Sequence, residues 1–279
     1  MNMKRFISII ILSLLCTAAF AAKRDTVRIL AIGNSFSVDA LEDHFYPVAA
    51  QEGVTVIVGN MYIGGCFLER HVNNLRNDAG AYSYRKITAD GKLTKTPDFK
   101  LSNALKDEKW DYVSVQQSSP LSGKPESYEP WLTELVEYVR ANAPQAELMF
   151  QMTWAYDRDS KHKRFPDYNK DQDYMYECIL SAVQQTVPRV GIDIIIPSGT
   201  AVQNARTTSL VDNITRDGYH MSKPQGRYLL ACTWVEKVLG RKVKGTEYCP
   251  EGMTPQECVL AQKAAHAAVR KPFKVTKIK

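Results

Sequence analysis

The chain has 279 residues, 44% of them hydrophobic, with 36 Lys and Arg against 30 Asp and Glu for a formal net charge of +6. That length supports one α/β domain with a substantial core. The charge is mild for the size and gathers on no single expected face, which argues against nucleic acid as a partner.

Residues 1–22 read as an export signal rather than as fold. A basic start, "MNMKRF", precedes an apolar run, "ISIIILSLL", and Ala19-Phe20-Ala21 fits an A-x-A cleavage site. The run is short for a bilayer span. Cys16 follows the bulky Leu15, where lipid attachment favours a small residue. No later segment is apolar enough to cross a membrane, so residues 23–279 are expected as one exported domain, periplasmic or extracellular.

Five near-continuous aliphatic runs then read as strands: "TVRILAIG" (26–33), "VTVIVGNMY" (54–62), "DYVSVQQ" (111–117), "ELMFQMTW" (147–154) and "IDIIIPSG" (192–199). Runs of this kind suit strands covered on both faces. Helical stretches alternate with them at 39–52, 67–78, 127–143, 171–187 and 222–239. The alternation predicts a mostly parallel five-stranded sheet with helices on both sides. One insertion interrupts it: "YSYRKITADGKLTKTPDF" (82–99) reads as a hairpin turning at Asp90-Gly91. The polar stretch 156–173 reads as a long loop of the kind that walls a site. A last helix is expected over 254–270, opened by Thr254-Pro255. The basic tail beyond it, "RKPFKVTKIK", reads as a solvated end.

Cysteine usage fits an exported chain. Of the five mature cysteines, Cys249 and Cys258 are close enough in sequence to bridge in an oxidising compartment, while Cys178 and Cys232 fall in apolar helical patterns. There is no C-x-x-C pair and the five histidines are scattered, so no metal site is expected. His71, Asn73 and Asn74 are expected on a solvated helix face.

Two short segments carry chemistry. Ser35, in "AIGNSFS", falls right after the first strand and before a helix expected to begin near Val38. That is the sheet edge where open α/β folds place ligands, and free N–H groups at a helix start favour an oxyanion. Alone, a serine there reads more often as a cap. Near the other end, "DNITRDGYHMS" holds Asp217 and His220 three residues apart before the next helix. A serine nucleophile needs a base, and a histidine base needs a carboxylate to fix its tautomer. One short loop can supply both.

Taken together in this order, "GNSFS" first and "DGYH" last, the segments resemble the SGNH (GDSL-type) hydrolases over about 27–239. The resemblance implies a flavodoxin-like three-layer α/β/α fold, with Ser35 as nucleophile, His220 as general base and Asp217 as its orienting acid. It also implies an oxyanion hole built from the Ser35 and Gly65 N–H groups and a side-chain amide. The family's usual Gly-x-Asn-Asp is absent, and "SVQQSSP" offers Gln116 or Gln117 in its place. The usual Gly-Asp-Ser is replaced as well: Asn34 keeps the turn and the hydrogen bonding but loses a charge. Asn34 is grouped with Trp154 and Tyr156 as a substrate contact; both aromatics also read as core. The resemblance implies no metal or organic cofactor. It points to an exported serine esterase releasing short acyl groups from a small-molecule or glycan ester. The rival readings are a lipase or thioesterase on the same residues, and a silent glycan-binding relative.

Overall fold

In the computed structural model residues 26–279 are described; the segment expected as an export signal, with Cys16, lies outside the described residues. The elements in chain order are β1 (Thr26–Gly33), α1 (Ser35–Leu41), α2 (Phe45–Gln51), β2 (Thr55–Tyr62), α3 (Leu68–Arg76), β3 (Tyr82–Ile87), β4 (Leu93–Phe99), α4 (Leu101–Asp107) and β5 (Tyr112–Val115). Then come α5 (Trp131–Asn142), β6 (Glu147–Gln151), α6 (Gln172–Thr186), β7 (Ile194–Ile196), α7 (Ser198–Ala205), α8 (Gln225–Leu239) and α9 (Pro255–Arg270).

The sheet has seven strands in the order β4-β3-β2-β1-β5-β6-β7. The five expected strands pair in parallel from β2 to β7. Ile29, Leu30, Ala31 and Ile32 are consecutive and each at most 1% exposed. Successive strand side chains point to opposite faces, so both faces of the sheet are covered. The 82–99 hairpin does more than decorate this sheet. β3 runs antiparallel to β2 and β4 to β3, so the hairpin supplies partners for an edge that would otherwise be open.

Two expectations about helices change. The helix expected over 39–52 is two helices, and the first starts at Ser35, not near Val38. Asn34 caps α1 by accepting from the Phe36 N–H, which sets the start. Pro47 has no N–H to continue a helix from α1 and is tolerated only in a first turn, so α2 begins afresh at Phe45. α9 begins as expected: Thr254 and Glu257 form a reciprocal capping box with Pro255 at the first helical position. Cys249 and Cys258 are disulfide-bonded across its start.

The tail is not a solvated end. Thr276 N–H donates to Asn204 Oδ1 at 2.6 Å, Ile278 N–H to Thr207 Oγ1 at 3.0 Å, and the Thr200 hydroxyl to the Pro272 carbonyl at 2.5 Å. Residues 272–278 therefore lie as a strap along α7. Among the described residues, no helix is long and apolar enough to cross a membrane.

His71, expected on a solvated face, is fully buried with its Nδ1 3.0 Å from the Tyr82 hydroxyl. α3 is amphipathic, and His71 falls beside Leu68 and Val72 on its inner face. Burial, with Arg70 nearby, pushes the imidazole down to about 3. The unfolded chain thus binds a proton below its ordinary value of 6.5 that the folded chain refuses until about pH 3. Stability from this group is present above pH 6.5 and lost as pH falls, at up to about 1.4 kcal/mol per pH unit. Chemical denaturation between pH 7 and 4 should show this slope in the wild type and a shallower one in His71→Phe.

Candidate active site

Because β1, β2, β5, β6 and β7 are parallel, their C-terminal ends share one edge of the sheet, and the expected site residues gather there. Ser35 is the first residue of α1 and half-buried. Its Oγ lies 2.9 Å from His220 Nε2, and His220 Nδ1 lies 2.7 Å from Asp217 Oδ2. The other Asp217 oxygen accepts the His220 N–H at 2.7 Å and the Tyr219 N–H at 3.2 Å. Asp217 and His220 are thus locked by a turn as well as by their side chains. Gly218 sits at φ +84°, which lets the chain turn between them. Desolvation pushes the Asp217 carboxyl up, but the hydrogen bonds from the His220 ring and backbone outweigh it and hold the group below its ordinary value. An ionised Asp217 keeps the proton on Nδ1 and leaves the Nε2 lone pair facing the serine hydroxyl.

Asn34 is not free to meet a substrate: it is 2% exposed and every hydrogen bond it makes is internal. Its Oδ1 accepts from Phe36 N–H and Gln116 Nε2, both at 2.9 Å, and its Nδ2 donates to the Cys66 carbonyl at 2.9 Å. One amide therefore ties together the ends of β1 and β5 and the turn after β2. The packing is close enough that a Cβ at Gly33 would fall 2.5 Å from Ser37 Oγ and 2.9 Å from Gln116 Oε1.

The two glutamines separate. Gln116 points to Asn34, and that bond uses one of its two Nε2 hydrogens. Gln117 is turned away and fully engaged, donating to the Ser127 carbonyl and hydroxyl and accepting from Leu68 and Ser118 N–H. Gln117 therefore has no amide hydrogen left to offer at the Ser35 edge. Gly65 lies in the exposed turn between β2 and α3 at φ +61°, next to the Cys66 that Asn34 holds. Cys66 itself is buried, and burial pushes its thiol up to about 12, which keeps it unreactive.

Trp154 and Tyr156 are also placed inside, both 0% exposed. Trp154 stacks flat on Phe36 at 3.9 Å between ring centroids, and its indole N–H donates to the Tyr219 carbonyl at 2.7 Å. It thus props the residue after Ser35 and the residue before His220 at once. Tyr156 bonds Ser119 through its hydroxyl at 2.9 Å. The aromatic rings left half-exposed beside His220 are Tyr219, at 4.3 Å between centroids, and His162 from the 156–173 loop, 4.7 Å from Tyr219. The same loop braces the turn from behind: Asp157 N–H donates to the Gly218 carbonyl at 2.8 Å, and the Asp157 carboxylate holds Arg206 and Thr215.

Sequence reading missed a buried charge that joins these parts. Asp39, on α1, is 0% exposed. It accepts the Met221 N–H at 2.9 Å and pairs with Arg227 at 2.5 Å and Arg216 at 3.3 Å. A carboxylate among Phe36, Val38, Ala40 and Leu41, and an arginine opening the apolar run of α8, were the available signals.

Behind Asp217 and Gly218 opens a cavity of about 770 Å³, lined by Asp157, Gln172, Gln203, Arg206 and Arg216 among others. It adjoins the site through Asp217; Ser35 and His220 are not part of its wall.

The family model for a domain of unknown function, DUF4886, matches residues 28–268. The chain belongs to the DUF4886 family. A DUF4886 family protein from Bacteroides uniformis ATCC 8492, known from a crystal structure, is 50% identical and superposes with a TM-score of 0.89 over 91% of this chain and 98% of that one. A candidate SGNH hydrolase from Slackia heliotrinireducens superposes at 0.53 with 24% identity, over 76% of this chain and 98% of its own. A candidate GDSL-like lipase from Parabacteroides merdae ATCC 43184 gives 0.52 with 16% identity, over 77% and 96%. At these identities the likeness is one of fold, and the DUF4886 chain shares the α/β architecture of SGNH-type proteins. No curated protein matches it.

Two substitutions test how the DUF4886 site is held. Asn34→Asp replaces the donor to the Cys66 carbonyl with an acceptor and should cost about 1–3 kcal/mol in urea denaturation. Asp39→Ala strips Arg227 of its buried partner, leaving only Asp43 at 2.8 Å; a loss of about 3 kcal/mol is expected by the same measurement.

Proposed function

We propose that the protein is an exported serine ester hydrolase that removes short acyl groups, such as acetyl, from a carbohydrate-type substrate. The observation that carries the reading is the continuous hydrogen-bonded line from Ser35 Oγ through the His220 ring to Asp217.

In this reading Ser35 Oγ attacks the ester carbonyl carbon while its proton passes to His220 Nε2. Asp217 stabilises the imidazolium that forms, without itself taking the proton. The carbonyl oxygen, now negative, is met by the Ser35 and Gly65 N–H groups and the second amide hydrogen of Gln116, each such donor being worth about 10²–10³ in rate. The tetrahedral intermediate collapses, His220 returns its proton to the departing alcohol, and the acyl group stays on Ser35. Water then attacks the acyl-serine with His220 again as base, releasing the acid and restoring the hydroxyl. None of these steps calls for a metal or organic cofactor.

Two features favour a polar substrate over a lipid. The cavity beside Asp217 is walled by charged and amide side chains, whereas an acyl groove needs apolar walls. Tyr219 and His162 offer half-exposed rings next to His220, a surface on which a sugar face can lie.

Hydrolysis of p-nitrophenyl esters tests this directly. The wild type should cleave the acetate ester fastest and fall steeply toward the octanoate. Ser35→Ala should lose at least about 10³-fold in kcat, and Asp217→Asn about 10³–10⁴-fold with little change in KM. Equal turnover by wild type and Ser35→Ala would overturn the nucleophile; a preference for the octanoate would overturn the substrate class.

A further inference from the structure

The positive charge of this chain is concentrated at one end. Up to Gly240 there are 27 basic and 27 acidic residues; from Arg241 onward there are nine basic and three acidic, which accounts for the whole net charge of +6. After Glu257 no acidic residue follows. The fold sharpens this asymmetry. Lys244 follows α8, Lys263 lies on α9, and Lys277 and Lys279 belong to the strap. The four come together with His266 and Ile278 around one recess of about 300 Å³.

The strap is what assembles the recess. Its backbone is fixed to Asn204 and Thr207 of the α7 region through Thr276 and Ile278 N–H, and Lys263 Nζ donates at 2.9 Å to a terminal carboxylate oxygen of the last residue, Lys279. Along it exposure alternates, with Thr276 and Ile278 turned toward the body and Lys277 and Lys279 toward solvent. Polar side chains of α7 thus hold a segment in the one arrangement that carries two more lysines to Lys244 and Lys263. Among the described residues, no side-chain carboxylate pairs with any of these four lysines. Glu236, which touches the lining, is committed to His266 Nδ1 at 2.6 Å. The negative charge gathered with them is the terminal carboxylate of Lys279, held by Lys263. Gathering mostly like charges raises the energy of the fold, and a recess with an excess of one sign concentrates the opposite ion.

We propose that this recess, separate from the Ser35 site, binds a phosphate group carried on a larger molecule. Lysine ammonium groups are point charges that suit phosphate oxygens approached from several directions. Ile278 gives the recess an apolar side, and its volume leaves room for the part of the ligand that bears the phosphate.

Isothermal titration of the full mature chain with inorganic phosphate at pH 7 and low salt tests the site. Saturable binding is expected in the wild type. The double substitution Lys263→Gln/Lys277→Gln should weaken it at least tenfold, whereas Lys106→Gln/Lys109→Gln, far from the recess in sequence and outside its lining, should not. Sedimentation with vesicles containing phosphatidic acid separates the sources of the group. Co-sedimentation that free phosphate competes away assigns it to a lipid headgroup; phosphate binding without co-sedimentation assigns it to a soluble phosphorylated molecule. No saturable binding by the wild type, or equal binding by both doubly substituted chains, would overturn the proposal. Cleavage of p-nitrophenyl acetate should be the same in all three proteins, so this test stands or falls apart from the esterase reading.

Discussion

The geometry of the site depends on one buried carboxylate. Ser35 and Asp39 are four residues apart on α1 and so share a face of the helix. Ser35 meets His220, while Asp39 takes the N–H of Met221, the next residue. A single turn of helix therefore grips the Asp-His loop at two adjacent points. Asp39 also pairs with Arg227 at the start of α8 and with Arg216 on the loop itself. Buried ion pairs add little net stability over apolar packing of the same shape, but a half-broken one is costly. Such a group therefore excludes alternative loop positions more than it strengthens the fold. Trp154 works beside it, joining Phe36 to Tyr219 through one ring face and one N–H.

Asn34 answers the same need to lock a loop. A carboxylate can only accept, whereas the position requires a donor to the Cys66 carbonyl and an acceptor for two N–H groups. The amide provides both. It fixes the turn holding Gly65 against the end of β1 and orients Gln116. The chain beside the serine is thus tied through neutral hydrogen bonds.

Much of this was legible in the chain. The parallel strands showed as continuous aliphatic runs because both faces of the sheet are buried, and β1 was read to the residue. The Ser35 and Asp217–His220 segments stood out by their position at strand ends and before helices. Burial was harder to read. Trp154, Tyr156, Asn34 and His71 each carry a polar group that could as well face water, and only the packing of distant segments places them inside. Gln116 and Gln117 could not be told apart because a strand that ends at Val115 no longer dictates which side its next residues face. The tail looked solvated because its composition is basic; what docks it is its backbone N–H groups, which composition does not reveal.

The central claim is that Ser35 is a nucleophile activated by His220. Covalent labelling with a fluorophosphonate, in which a serine oxygen displaces fluoride from phosphorus, tests it most directly when the modified peptide is mapped by mass spectrometry. The account predicts a single adduct on Ser35 that forms far more slowly in His220→Ala. An unlabelled protein, an adduct on another serine such as Ser37 or Ser118, or undiminished labelling in His220→Ala would contradict it.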